Sequence, residues 1–80
     1  MLRDSIDANV MEDLLKAAAH VARLGAPHLW LDYDSEADAL YVNFQKPQRA
    51  TESELRENGV ILRYRGDKLV GVVIFDASKR

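Results

Sequence analysis

Eighty residues, 48% of them apolar and 30% charged, carry a net charge of −2 and no cysteine. That length admits a single domain over residues 1–80, the composition is globular rather than disordered, and the missing thiols exclude both a disulfide-stapled scaffold and a cysteine metal centre. Acids and bases alternate along the chain with no basic stripe of the kind that dominates phosphate-backbone affinity, so direct nucleic-acid binding is not expected.

The stretch from Met1 to Asp7 lacks the apolar run of a signal peptide, and no segment approaches the roughly 20 apolar residues that a bilayer span needs. A cytoplasmic protein with no membrane partner is therefore expected, in keeping with the absence of cysteine. From Asn9 to Leu24 the apolar period is helical. Val10, Leu14, Ala17, Val21 and Leu24 share one row, and Met11, Leu15, Ala18 and Ala22 form a second beside it. Glu12, Asp13, Lys16, His20 and Arg23 hold the opposite side, with Glu12 and Lys16 spaced for an i,i+4 pair. Asn9 and Glu12 resemble a capping box, while Asp4, Ser5 or Asp7 would start the helix earlier. Gly25 suits the left-handed position after the last turn and Pro27 blocks continuation, so residues 1–27 form a helix with its cap.

From His28 the period becomes two, and residues 28–80 read as an antiparallel sheet. Leu29, Leu31 and Tyr33 alternate up to a turn, and Leu40, Val42 and Phe44 alternate after it. A register slip would mix apolar and polar sets, so these two triplets share a face. The loop Ser35 to Asp38 fits a type I turn starting at Asp34. Pro47 ends the second strand. Residues 45–58 stay open between a short strand, a helical turn and a loop. A second hairpin joins Val60–Tyr64 to Leu69–Phe75 around Gly66-Asp67. It sets Tyr64 opposite Leu69, Leu62 opposite Gly71 and Val60 opposite Val73. The expected architecture is α+β, an N-terminal amphipathic helix packed on a four-stranded antiparallel meander in the order α-β-β-β-β.

In that register one face gathers Leu29, Leu31, Tyr33, Leu40, Val42, Phe44, Val60, Leu62, Tyr64, Leu69, Val73 and Phe75, the core face that should receive the helix. The other carries Trp30, Tyr41, Ile61, Val70, Val72 and Ile74 among polar residues, which is too apolar for a solvated face. The last strand is apolar on both sides. The helix, too, has a wider apolar stripe than one sheet contact requires. A domain this short buries only about 60–65% of its unfolded surface. Trp30, Tyr41, Ile61, Val72 and Ile74 on the sheet, with Met11 and Leu15 on the helix, are thus expected at an interface, and the chain is expected to form a homo-oligomer.

No chemical constellation competes with that reading. Asp32, Asp34, Glu36 and Asp38 invite a calcium loop, but the positions that demand glycine and glutamate hold Ala37 and Asn43. His20 and His28 are not at ligand spacing with one another. Asp32, Asp38, Glu52, Glu54 and Glu57 offer carboxylates without a spacing that selects an acid–base pair. Asp76, Ser78 and Lys79 lack an oxyanion donor, and the isolated glycines make no phosphate loop. No catalytic residue, metal or cofactor is expected. A flat ligand stacked by Trp30 and Tyr41 is the alternative to an interface there.

The run Tyr33-Asp34-Ser35-Glu36-Ala37-Asp38-Ala39-Leu40-Tyr41-Val42 resembles the opening motif of domain of unknown function family 2283, which reads Y-D-x-E-x-D-x-L-Y-[IV]. Asn58 to Leu62 and Leu69 to Ser78, ending Asp76-Ala77-Ser78, resemble its middle and close. The resemblance spans about residues 29–80 and leaves out the helix. It implies a small prokaryotic protein with no established activity, and for some members a place beside toxin-like genes. The functional expectation is a non-enzymatic, self-associating interaction module, an antitoxin-like partner among its uses. The alternative is a small-molecule binder or enzyme with a site between subunits near Trp30 and Tyr41.

Overall fold

A computed structural model describes residues 7–80; the alternative helix starts at Asp4 and Ser5 lie outside that range, as does most of the leader stretch. The helix α1 runs Ala8–Leu24, begun by Asp7 rather than Asn9. The Asp7 side chain accepts from the Val10 amide at 2.9 Å and takes up one of the helix's orphan donors. Gly25 ends it at φ 72°, where only a residue without a Cβ sits at ease. The Glu12–Lys16 pair forms at 3.1 Å across the exposed side.

Five strands follow: β1 Trp30–Asp34, β2 Ala39–Asn43, β3 Glu52–Leu55, β4 Val60–Arg65 and β5 Lys68–Ile74, then a 3-10 turn Ala77–Lys79. All pairings are antiparallel, in the order β1-β2-β5-β4-β3. This corrects the four-stranded meander in two respects. Residues Glu52–Leu55, left open in the sequence, form a fifth strand at the edge, where their charges discourage further pairing. The last strand takes the centre between β2 and β4 rather than an edge. Its two-sided apolar character is the reason, because a central strand is covered on both flanks and exposes least. The β1–β2 turn forms as read, with Asp34 Oδ1 accepting from the Glu36 and Ala37 amides at 3.0 and 3.3 Å.

The second hairpin keeps Tyr64 opposite Leu69 but slips next to it. One extra residue, Val70, lies between Leu69 and Gly71 while β4 advances only from Tyr64 to Arg63. Beyond this bulge Leu62 faces Val72, not Gly71, and Val60 faces Ile74, not Val73. Because side chains alternate, the slip exchanges the two sides of β5. The front face therefore carries the rows Leu31-Val42-Val72-Leu62-Glu54 and Tyr33-Leu40-Ile74-Val60. The back face carries Trp30-Asn43-Gly71-Arg63-Ser53 and Asp32-Tyr41-Val73-Ile61-Leu55.

The front was expected to be the core and to receive the helix. Instead the buried apolar side chains are Ala39 and Val73, on the back, and Val70 at the bulge. No residue of α1 is buried, and no strand packs along it. The radius of gyration is 14.2 Å, whereas a compact chain of this length has about 12 Å. The expected helix-on-sheet packing is thus absent within one copy.

Candidate functional site

The helix presents both apolar rows to solvent. Met11 is 46% exposed, Leu14 54%, Leu15 64% and Leu24 59%. On the front of the sheet Leu31 and Tyr33 remain 56% and 54% exposed, with Leu40, Val42, Val60, Leu62, Val72 and Ile74 only half-buried beside them. One chain thus holds a helix without a sheet and a sheet face without a helix. A shallow depression of about 710 Å³ at the β3–β4 end of that face is floored by Val60 and Leu62 and rimmed by Glu54, Leu55, Arg56, Glu57 and Asn58.

The expected interface residues separate into three groups. Met11 and Leu15 sit on the exposed helix. Val72 and Ile74 belong to the front face, brought there by the bulge. Trp30, Tyr41 and Ile61 lie on the back, so the single sheet-face patch read from the sequence does not form. Trp30 lies near the His28 ring, centroids 5.8 Å apart and tilted by 32°. Two depressions occur at the β3–β4 side of the sheet, and neither is lined by Trp30 or Tyr41.

Asp34, Asp38 and Ser78, among the polar residues singled out earlier, are engaged in holding the fold. Asp38 sits at φ 48° before β2. Its carboxylate accepts from the Tyr33 hydroxyl at 2.7 Å, the Ser78 hydroxyl at 2.8 Å and the Ser78 amide at 3.0 Å. Its carbonyl accepts from the Ala77 amide at 3.0 Å. This clasp ties the last turn to the first hairpin. The Tyr33 and Ser78 donors hold the Asp38 carboxyl below its ordinary range, and the same bond to Asp38 raises the Tyr33 phenol. Ser78 thus gives both its donors to this one carboxylate, with the Tyr33 hydroxyl beside them. Asp76, read as a cap for the final turn, precedes it at φ 53° without a side-chain capping bond. Sequence reasoning missed the clasp; its signal was the pairing of Asp38 with Ser78 in the two recognised motifs, which lie far apart in the chain.

His20 is bonded to Arg23 at 2.6 Å on the helix. Among the described residues no three histidine or acidic side chains gather around a common point, and no described helix is long and apolar enough to cross a membrane.

Comparison with known proteins returns one family, described as protein of unknown function (DUF2283), over residues 30–78. Neither a curated protein nor a solved structure matches the chain. The matched segment runs from the first residue of β1 to the serine that Asp38 holds, more than half of the chain, and it is on this sheet with its clasp that the chain belongs to the DUF2283 family of proteins of unknown function.

Proposed function

We propose that the protein is a non-enzymatic, self-associating interaction module in which α1 of one copy covers the front face of another. The observation that carries this reading is the helix itself, amphipathic, with no buried residue and every side chain but the half-buried Val10 exposed. Most of a protein helix's stability comes from packing its apolar face, and burying a leucine is worth roughly 1.5–3 kcal/mol. A helix needing an apolar surface and a sheet face needing a cover, present in one chain, are self-complementary. Two-fold exchange uses both surfaces twice, which brings the contact into the class of about 20 residues a side typical of stable dimers.

The same two surfaces suit a pairing with a different protein, the antitoxin-like role that the family resemblance suggests. The test is the molar mass by multi-angle light scattering from low to high micromolar concentration. A dimer mass that dissociates on dilution is expected; a monomer mass throughout rejects self-association and leaves only a foreign partner.

A further inference from the structure

The net charge of −2 conceals a sorting of charge across the sheet. On the β3–β5 side, Glu52 and Glu54 belong to the front face, opposite Tyr64 and Leu62. Arg63, Arg65 and Lys68 belong to the back, Arg65 directly opposite Lys68 and Arg63 opposite Ser53 and Gly71. None of these three cations has an ion-pair partner among the described residues. The connection between β2 and β3 must pass β5 and β4, and the Gln48 side chain against Gly71 and Asn43 places it on the back face. Two more cations, Lys46 and Arg49, ride on that connection. Beneath it the Nε of Arg63 is shielded from solvent with no hydrogen-bond partner.

A guanidinium held at mid-sheet by its shielded edge is costly unless an anion faces it. Its cross-strand neighbours, Ser53 and Gly71, supply none. The acids of β3 point to the other side, and those of β1, Asp32 and Asp34, lie three strands away, roughly 14 Å at the usual strand spacing. We propose that this cationic end of the back face, centred on Arg63, Arg65 and Lys68, binds a phosphate-bearing ligand. Arginine suits that role because its planar fork meets two phosphate oxygens at once. The site lies on the opposite face from the surface assigned to self-association, so each stands without the other.

The test is a titration of the full chain followed by NMR at the backbone amide signals of Ser53, Tyr64 and Gly71, which flank Arg63 and are present in every variant. One arm adds inorganic pyrophosphate and the other a single-stranded oligo-deoxythymidine, each against chloride at equal ionic strength. Saturable shifts are expected with at least one probe, weakened tenfold or more in Arg63→Gln/Arg65→Gln and unaltered in Glu52→Gln/Glu54→Gln. Tighter binding of the oligonucleotide, with steep salt dependence, assigns the phosphates to a nucleic-acid strand; tighter binding of pyrophosphate assigns them to a free ligand. Arg63→Lys/Arg65→Lys keeps the charge and removes the fork, and serves should the glutamine variant lose dispersed signals. Shifts that do not saturate with either probe, or that persist undiminished in the substituted chain, overturn the proposal.

Discussion

Replacing Leu14 and Leu15 together by alanine separates what the helix does for its own copy from what it does between copies. The two side chains are 54% and 64% exposed, so in one copy about half of each is already wet. With roughly 2 kcal/mol for full burial of a leucine, covering the exposed part is worth about 1.2 kcal/mol per side chain. Two side chains on each of two symmetric copies bring the loss to about 5 kcal/mol of dimer, a weakening of roughly 10³–10⁴ in the dissociation constant. Alanine keeps helix propensity, so the helix content of the monomer should hold and its own unfolding change little. Sedimentation velocity across a hundredfold range of concentration reads the effect, with far-ultraviolet circular dichroism as the control. A double variant that self-associates as tightly as the parent refutes the reasoning, because α1 would then lie outside the contact.

Three further outcomes follow from single contacts. The Asp38 carboxyl is depressed by its donors, so its share of stability is present above the ordinary value of 3.8 and is lost as pH falls through the lower folded value; the raised Tyr33 phenol contributes below 10.0 and loses its share as pH rises through the higher folded one. Urea midpoints measured from pH 2 to 11 should show both losses, and Asp38→Asn should flatten both limbs. Gly71→Ala drives a Cβ into the Gln48 amide nitrogen and to 3.0 Å from Asn43 Oδ1; the flexible Gln48 side chain can swing aside, so a cost of about 1 kcal/mol, one hydrogen bond, is expected by urea denaturation. Arg80 donates to the carbonyls of Phe75 at 2.8 Å and Asn58 at 2.6 Å, and Arg80→Ala should cost about 1 kcal/mol while speeding exchange of the Phe75 amide, which bonds Gly59.

What the sequence made legible was whatever a local rule decides. Gly25 and Pro27 located the helix end because only one backbone conformation fits there. Leu31 facing Val42 and Tyr33 facing Leu40 followed from alternation on both sides of a turn set by Asp34. The failures are non-local. Gly71 hints at an irregular strand but not at which residue is extra, since an apolar residue suits either side of a strand; only the mates on β2 and β4 fix which side it takes. That one residue moved Val72 and Ile74 away from Trp30 and Tyr41 and divided the expected interface between two faces. The edge strand β3 was hidden by its charges, which resemble those of a loop.

Net charge failed in the same way, for a total of −2 is silent on which side of a sheet each charge occupies. The strand period sorts Glu52 and Glu54 from Arg63 and Arg65 once the pairing is known, and pairing depends on partners distant in the chain. The family match adds a constraint of a different kind. It covers β1 through Ser78 and stops short of α1. The clasp of Asp38 on Ser78 and the central place of β5 therefore belong to the shared segment, as do Arg63, Arg65 and Lys68. The exposed helix lies outside it. Self-association through α1 is accordingly a property argued for this chain, whereas a phosphate site on the back face rests wholly on positions within the family segment. Deleting residues 1–25 divides the two claims: the sheet should lose its dimer mass and keep its response to pyrophosphate or oligonucleotide, and a truncated chain that stays folded, remains dimeric and ignores both probes would overturn both.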